Sequence, residues 1–216
     1  NGEKVTALRL KNRITEAEHD LPLDGVFVQI GLSANSQPFT ELEKSRIGEI
    51  ITDTYCRTTV PGVYAAGDVT GFSLLAHTAS REGEVVVNNL TGVEDSISYD
   101  AIPGVVYTNP EISGVGLTEE SAKAKGVAYK VASLPMAYAG RFVAENERGN
   151  GVCKVLVGES DDVVLGVHML GNPSSEMIYG ACMAIEMKMT LKELERVVFP
   201  HPTVSEIFKE TAFAIK

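Results

Sequence analysis

The chain has 216 residues, and 29 acidic against 19 basic side chains leave it a formal net charge of −10. Such a surface repels phosphate backbones and anionic lipid, the basic residues are scattered, and no apolar run approaches the roughly 18–20 residues that cross a bilayer, so nucleic acid and membrane are excluded as expected partners. With 44% hydrophobic residues a sizeable core is expected in one or two domains, and with no leader-like opening stretch the expected location is cytoplasmic.

Val5 to Leu10 alternates apolar and polar residues and predicts a strand. A polar stretch from Lys11 to Asp20 leads to Val26 to Ile30, almost wholly apolar, which predicts a more buried strand. Gly31 breaks that run, and Leu32 to Ser45, irregular and holding Pro38, predicts a connection between structural units. Glu49 to Thr52 is a short strand candidate, Thr58 to Gly62 has turn chemistry, and Val63 to Ala66 predicts a compact strand ending at Gly67-Asp68. Leu75, Ala79, Val86 and Leu90 then carry the spacing of an amphipathic helix over Leu74 to Leu90, closed by Thr91-Gly92.

Ser96 to Pro103 is a linker, and beyond it the pattern changes to short β-rich runs: Val105 to Thr108, Val115 to Leu117, Val127 to Ser133, Val152 to Val157 and Val163 to Met169. These predict one antiparallel sheet whose last three strands form a meander, with Gly149-Asn150-Gly151 and Glu159 to Asp162 as hairpin turns. Helices are predicted after Thr118, over Glu119 to Lys125, and from Pro173-Ser174 to about Lys188. Thr190-Leu191-Lys192-Glu193 fits a capping box and predicts a third helix that ends before Pro200. The chain therefore divides near residue 100 into two units.

Cys56, Cys153 and Cys182 are too few and too far apart for a disulfide framework, a zinc knuckle or a C-x-x-C pair, and each reads as a small buried hydrophobe. Met183, Met187 and Met189 near the third thiol read as helix core, so no metal site is expected.

Two segments carry residues suited to chemistry. In Thr59-Val60-Pro61-Gly62-Val63-Tyr64-Ala65-Ala66-Gly67-Asp68 a turn and an apolar strand end on a carboxylate just ahead of a helix. Ligands of α/β folds bind beyond the carboxyl ends of strands, where Asp68 would accept hydrogen bonds from ribose-like hydroxyls and small residues allow close approach. The plainer reading is an Asp that caps the following helix. In Phe199-Pro200-His201-Pro202-Thr203-Val204-Ser205-Glu206 a His lies between two prolines with a Glu after it at a helix start. A Glu bound to one ring nitrogen would orient the His for proton transfer and let it deprotonate a thiol. Here the plainer reading is a T-x-x-E capping box, which alone would explain Glu206.

The string from Thr59 to Asp68 resembles the second flavin-binding motif of the pyridine nucleotide-disulfide oxidoreductases, in which the Asp binds the ribityl chain of FAD. Leu75-Ala76-His77 resembles that family's helix start, where backbone N–H groups meet the flavin ring; His77 is carried as a contact and not as an acid or base. His201-Pro202-Thr203-Val204-Ser205-Glu206 resembles the C-terminal signature of the lipoamide dehydrogenase branch, which implies that His201 is the acid/base serving an active-site disulfide and that Glu206 holds it. Tyr107 to Glu119, Gly171 to Ile178 and Ala184 to Met187 resemble the dimerisation domain of the same family. The Gly pair within Ser113-Gly114-Val115-Gly116 lacks the third Gly of a dinucleotide fingerprint and reads as β-structure.

The resemblance runs from about residue 48 to the end; Val26 to Gly31 is worded more like the thioredoxin reductase branch. It implies a mixed fold, α/β then α+β: a partial FAD/NAD-binding three-layer unit followed by an α+β dimerisation domain with an antiparallel sheet and flanking helices. Residues 1–35 would end an NAD-binding domain, 36–100 would be the returning segment of an FAD-binding domain, and 101–216 the interface domain. The chain opens without Met and holds neither G-x-G-x-x-G nor a close cysteine pair, so the expectation is a C-terminal fragment, silent by itself, of an FAD- and NAD-dependent enzyme. The resemblance implies that the whole enzyme would oxidise dihydrolipoamide as a homodimer, with His201 and Glu206 acting as an acid/base pair across the dimer on the other subunit's flavin-disulfide site, and with a lipoyl-bearing protein or small thiol as substrate. A thioredoxin reductase-like or glutathione reductase-like flavin disulfide reductase, or a non-catalytic dimerisation module, are the alternatives.

Overall fold

A computed structural model describes residues 4–26, 33–146 and 149–216. The chain begins with an exposed antiparallel hairpin, β1 (Ala7–Lys11) and β2 (Glu18–Pro22), in which Arg9 faces Asp20 across the ladder and binds its carboxylate at 2.8 Å. The second strand arises within the stretch that looked merely polar, because an antiparallel pair with one solvated face accepts charged side chains. The buried strand expected at 26–30 falls, from residue 27 on, outside the described residues, as do Gly31 and Leu32.

No strand forms at 49–52 or 63–66; only isolated bridges occur, Lys44 with Ile50 and Arg57 with Tyr64. The apolar composition of Val63 to Ala66 suits a strand, but the chain folds straight back on its own turn. Thr58 N–H donates to Val63 O at 3.0 Å and Ala65 N–H to Cys56 O at 3.1 Å, and among the described residues no second extended segment lies alongside to continue the ladder. After a 3-10 turn over Gly67–Thr70 comes α1 (Ala76–Leu90), whose inner face buries Thr78, Glu82 and Val85. Val85 packs with Cys56 and Ile97 in a small core of its own.

The remainder is a five-stranded antiparallel sheet in the order β3 (Gly104–Val106), β4 (Ile112–Gly116), β7 (Val164–Leu170), β6 (Val152–Gly158) and β5 (Tyr129–Pro135). The expected five strands and the meander of the last three are present. Of the two expected hairpin turns, Glu159 to Asp162 joins β6 to β7, with Asp162 in the left-handed region at φ 56°. The other connection, from β5 to β6, is longer and includes a 3-10 turn at Met136–Tyr138 and α3 (Gly140–Glu145), because Met136 and Phe142 turn inward to fill the end of the core.

Strand alternation decides which face is buried. Val115, Val155 and Val167 share one face with Cys153 and Met169, and α4 (Ser174–Glu186) and α6 (Glu206–Phe213) cover it with Ile178, Ala181, Ile207 and Phe208. The opposite face carries His168 opposite Gly114 and Lys154, which binds Glu119 of α2 (Glu119–Ala124) at 2.6 Å. Thr118 caps α2, and Thr190 with Glu193 forms the expected capping box of α5 (Leu191–Leu194), which is only one turn long. No helix among the described residues is long and apolar enough to cross a membrane.

Candidate functional site

The turn that carries Asp68 is built on Gly67, which is buried and sits at φ 78°. A Cβ there would strain that conformation and lie 3.2 Å from the Ala79 side chain, so the motif requires glycine. Thr70 Oγ1 donates to Gly67 O at 2.9 Å and Gly71 N–H to Asp68 O at 3.1 Å, which closes the turn and leaves the Asp68 side chain exposed. The plainer reading of Asp68 as a helix cap does not hold: the N-cap of α1 is Leu75, with extended backbone and no side-chain cap. The first-turn N–H groups of a 15-residue helix are therefore left without a side-chain acceptor beside small residues and a free-standing carboxylate. Uncapped helix N–H groups favour an electron-rich group, and an exposed carboxylate accepts hydrogen bonds from hydroxyls.

Leu75 is half-buried, and Ala76 and His77 are exposed at that helix start. The ring of His77 is committed elsewhere, since its Nε2 lies 2.9 Å from the Pro103 carbonyl, tying α1 to the linker ahead of β3. What His77 can offer a ligand is its backbone. Sequence reasoning passed over Glu82, which is 0% exposed and accepts hydrogen bonds from Gly67 N–H at 2.5 Å and Tyr99 O–H at 2.8 Å. The signal was available: Glu82 lies one turn after Thr78 and three residues before Val85, on the buried stripe of the helix.

The second cluster is held at the end of the sheet. Phe199 packs edge-on against Phe208, with ring centroids 6.3 Å apart, and Val204 is buried, so the 199–204 loop is anchored at both ends. Between those anchors His201 projects outward with 81% of its side chain exposed. Its Nδ1 lies 2.9 Å and 3.1 Å from the two oxygens of Glu206, the first residue of α6. Glu206 Oε2 also accepts the Thr203 N–H at 2.9 Å, and these two interactions, the backbone one first, hold the carboxyl below the usual carboxylate range. A capping box alone does not describe this arrangement, because Thr203 Oγ1 donates to Pro200 O at 2.7 Å instead of serving the helix. The carboxylate fixes Nδ1 as the protonated nitrogen, and Nε2 remains as an exposed base.

His201 and Glu206 are thus brought together, as are Asp68, Leu75, Ala76 and His77 along one turn and helix start; among the described residues no hydrogen bond links the two groups. The three thiols supply no partner chemistry here. Cys56 and Cys153 are fully buried, Cys182 partly, and burial pushes them up to about 11, about 12 and about 11. No group of metal-ligating side chains occurs among the described residues.

Residues 1–83 match the pyridine nucleotide-disulphide oxidoreductase domain, and residues 102–212 match the dimerisation domain of the same family. Over 191 residues the chain is 38% identical to leghemoglobin reductase of Glycine max, covering 85% of this chain and 36% of that protein. It is 37% identical to the mitochondrial dihydrolipoyl dehydrogenase of Pisum sativum, over 85% of this chain and 38% of that protein. The HOCl-induced flavoprotein disulfide reductase RclA of Escherichia coli superposes with a TM-score of 0.79 at 25% identity, over 98% of this chain and 49% of that one. The chain thus spans less than half the length of the relatives it matches. With matches on both sides of the linker and a shared fold throughout, the chain belongs to the pyridine nucleotide-disulphide oxidoreductase family.

Proposed function

We propose that this chain is the C-terminal part of a dihydrolipoyl dehydrogenase that oxidises dihydrolipoamide with FAD and NAD as cofactors. The observation that carries this reading is the His201–Glu206 pair at 2.9 Å, an exposed imidazole held in one tautomer at the end of an anchored loop. Nε2 of His201 takes the proton of a substrate thiol, and the Glu206 carboxylate stabilises the imidazolium that results. The thiolate so formed is the species that attacks a disulfide. Asp68 would hold the ribityl chain of FAD, and the backbone N–H groups of Leu75, Ala76 and His77 would serve as its hydrogen-bond donors. When bound, FAD supplies the two-electron acceptor that side chains lack.

The redox disulfide is not built from the thiols of this chain, which are far apart in sequence and raised by burial, so catalysis belongs to the longer protein. A homodimer is proposed as the working unit and a lipoyl-bearing protein as the partner, in the cytoplasm. Along α4 and its C-cap, Tyr179, Met183 and Met187 stand on one face at 68%, 50% and 72% exposure, an apolar stripe suited to a second copy. The test is NAD-dependent turnover by the full-length protein. Dihydrolipoamide should be oxidised in preference to reduced thioredoxin or glutathione, and absence of that activity would overturn the assignment.

A further inference from the structure

Glu82 is the one carboxylate of α1 drawn fully into the interior, and it belongs neither to the His201–Glu206 pair nor to the Asp68–His77 group. An ionised side chain without solvent is costly unless its oxygens are satisfied, and an apolar residue of the same size would pack there more easily. Both oxygens are satisfied, by donors far apart in sequence. Oε2 accepts the N–H of Gly67, 2.5 Å away, and Oε1 accepts the O–H of Tyr99, 2.8 Å away. Tyr99 in turn lays its ring on Phe72, with centroids 3.8 Å apart. The segment from Gly67 to Phe72, with exposed Asp68 inside it, is therefore gripped at its start by Glu82 and at its end by the residue Glu82 holds.

Gly67 makes this grip consequential. At φ 78° its peptide is in a conformation the chain leaves readily when unconstrained, and the Glu82 bond fixes the orientation of that N–H and so of the turn that aims Asp68. Burial, together with the nearby Glu82 carboxylate, pushes the Tyr99 phenol up, so it remains a donor at any working pH.

We infer that Glu82 is a positioning residue for flavin binding, which sets the Gly67-Asp68 turn through paired hydrogen bonds to Gly67 and Tyr99. This rests on the reading of Asp68 as the residue that takes the ribityl chain. A placement error at one hydrogen-bonding side chain is felt as lost ligand affinity, not as a change in what the ligand is.

The test is FAD titration of the flavin-stripped full-length protein, read by flavin fluorescence, with circular dichroism as a control for folding. Glu82→Met fills the volume but offers no oxygen to either donor, and should weaken FAD binding about tenfold. Glu82→Gln can still accept from Gly67 and donate to Tyr99, and should stay within about threefold of wild type. Unchanged affinity in a folded Glu82→Met protein would overturn the inference, as would a Gln variant as weak as the Met one. Should Glu82→Met fail to fold, Tyr99→Phe decides, because it removes one partner of Glu82 and keeps the ring on Phe72. It should weaken FAD about threefold, and wild-type affinity would overturn the inference. Asp68→Ala separates the two levels: full affinity there defeats the ribityl reading and this inference with it, whereas weakened Asp68→Ala beside wild-type Glu82→Met defeats the inference alone.

Discussion

Glu206 holds two groups with one carboxylate: the ring of His201, 2.9 Å from Oε1, and the backbone N–H of Thr203, 2.9 Å from Oε2. The second bond pins the carboxylate so that the first can orient the ring. Removing the base should therefore cost more than loosening it. In the full-length protein His201→Gln is expected to lower kcat for dihydrolipoamide by about 10²–10⁴-fold, the range of a lost general base. Glu206→Gln keeps an acceptor but loses the charge that favours the imidazolium, and should cost about 10–100-fold. Steady-state kinetics of the two variants give the comparison; near-normal turnover of His201→Gln would remove its acid/base role.

Gly114 lies directly opposite His168 across β4 and β7, and a Cβ on it would come 2.5 Å from His168 Nδ1. The other ring nitrogen is bonded to Leu117 O at 2.9 Å, so the ring cannot simply swing away. Gly114→Ala is expected to destabilise the protein by about 1–3 kcal/mol through overpacking. Adding His168→Ala should return part of that loss, which a double-mutant cycle of denaturant unfolding would measure. Strictly additive effects would mean that the glycine is not there for the histidine.

Arg81 clamps Asp95 with both guanidinium arms, at 2.8 Å and 2.6 Å, and Asn88 Nδ2 adds a third bond at 2.8 Å. The Arg81 bonds first, then Asn88, hold the Asp95 carboxyl down at about 2, below its ordinary 3.8. A depressed folded-state value stabilises the fold above 3.8 and loses that contribution as pH falls toward about 2. Asp95→Asn should accordingly unfold at lower urea than wild type at pH 6, and the gap should close as both are titrated to pH 2. A gap that persists at pH 2 would show that the pair does not act through its charge.

These relationships mark where the sequence could be read and where it could not. The strands of the second unit were legible because Val, Leu and Met alternate with polar or small residues, and the sheet they form is antiparallel with one buried face. Val63 to Ala66 has the same local composition, yet a strand is defined by its neighbour, and the neighbour here is the chain's own turn. His201 and Glu206 were legible because the contact is local, five residues apart. For Glu82 only its place on the buried stripe of α1 was legible; its role was not, since its partners lie 15 and 17 residues away. The Gly114 and Gly116 pair gains its meaning only across the sheet, from His168 at one position and from a φ of 77° at the other.

Tyr179, Met183 and Met187 follow one another at helical spacing, while Ile178, Ala181 and Ile185 face the sheet, so the helix is apolar on two sides, and among the described residues the second side is left half or more exposed. A helix hydrophobic on both sides is a buried helix, and the matching dimerisation domain supports a second copy as what covers it. Charge placed in the middle of such an interface is expensive to desolvate. Met183→Glu in the full-length protein should therefore shift sedimentation from dimer toward monomer, with far-UV circular dichroism unchanged because the side chain is half-exposed and outside the buried core. Since His201 is expected to act across the dimer, dithiol oxidation should fall in parallel with the loss of dimer. A folded Met183→Glu dimer of wild-type stability would move the interface away from this face of α4.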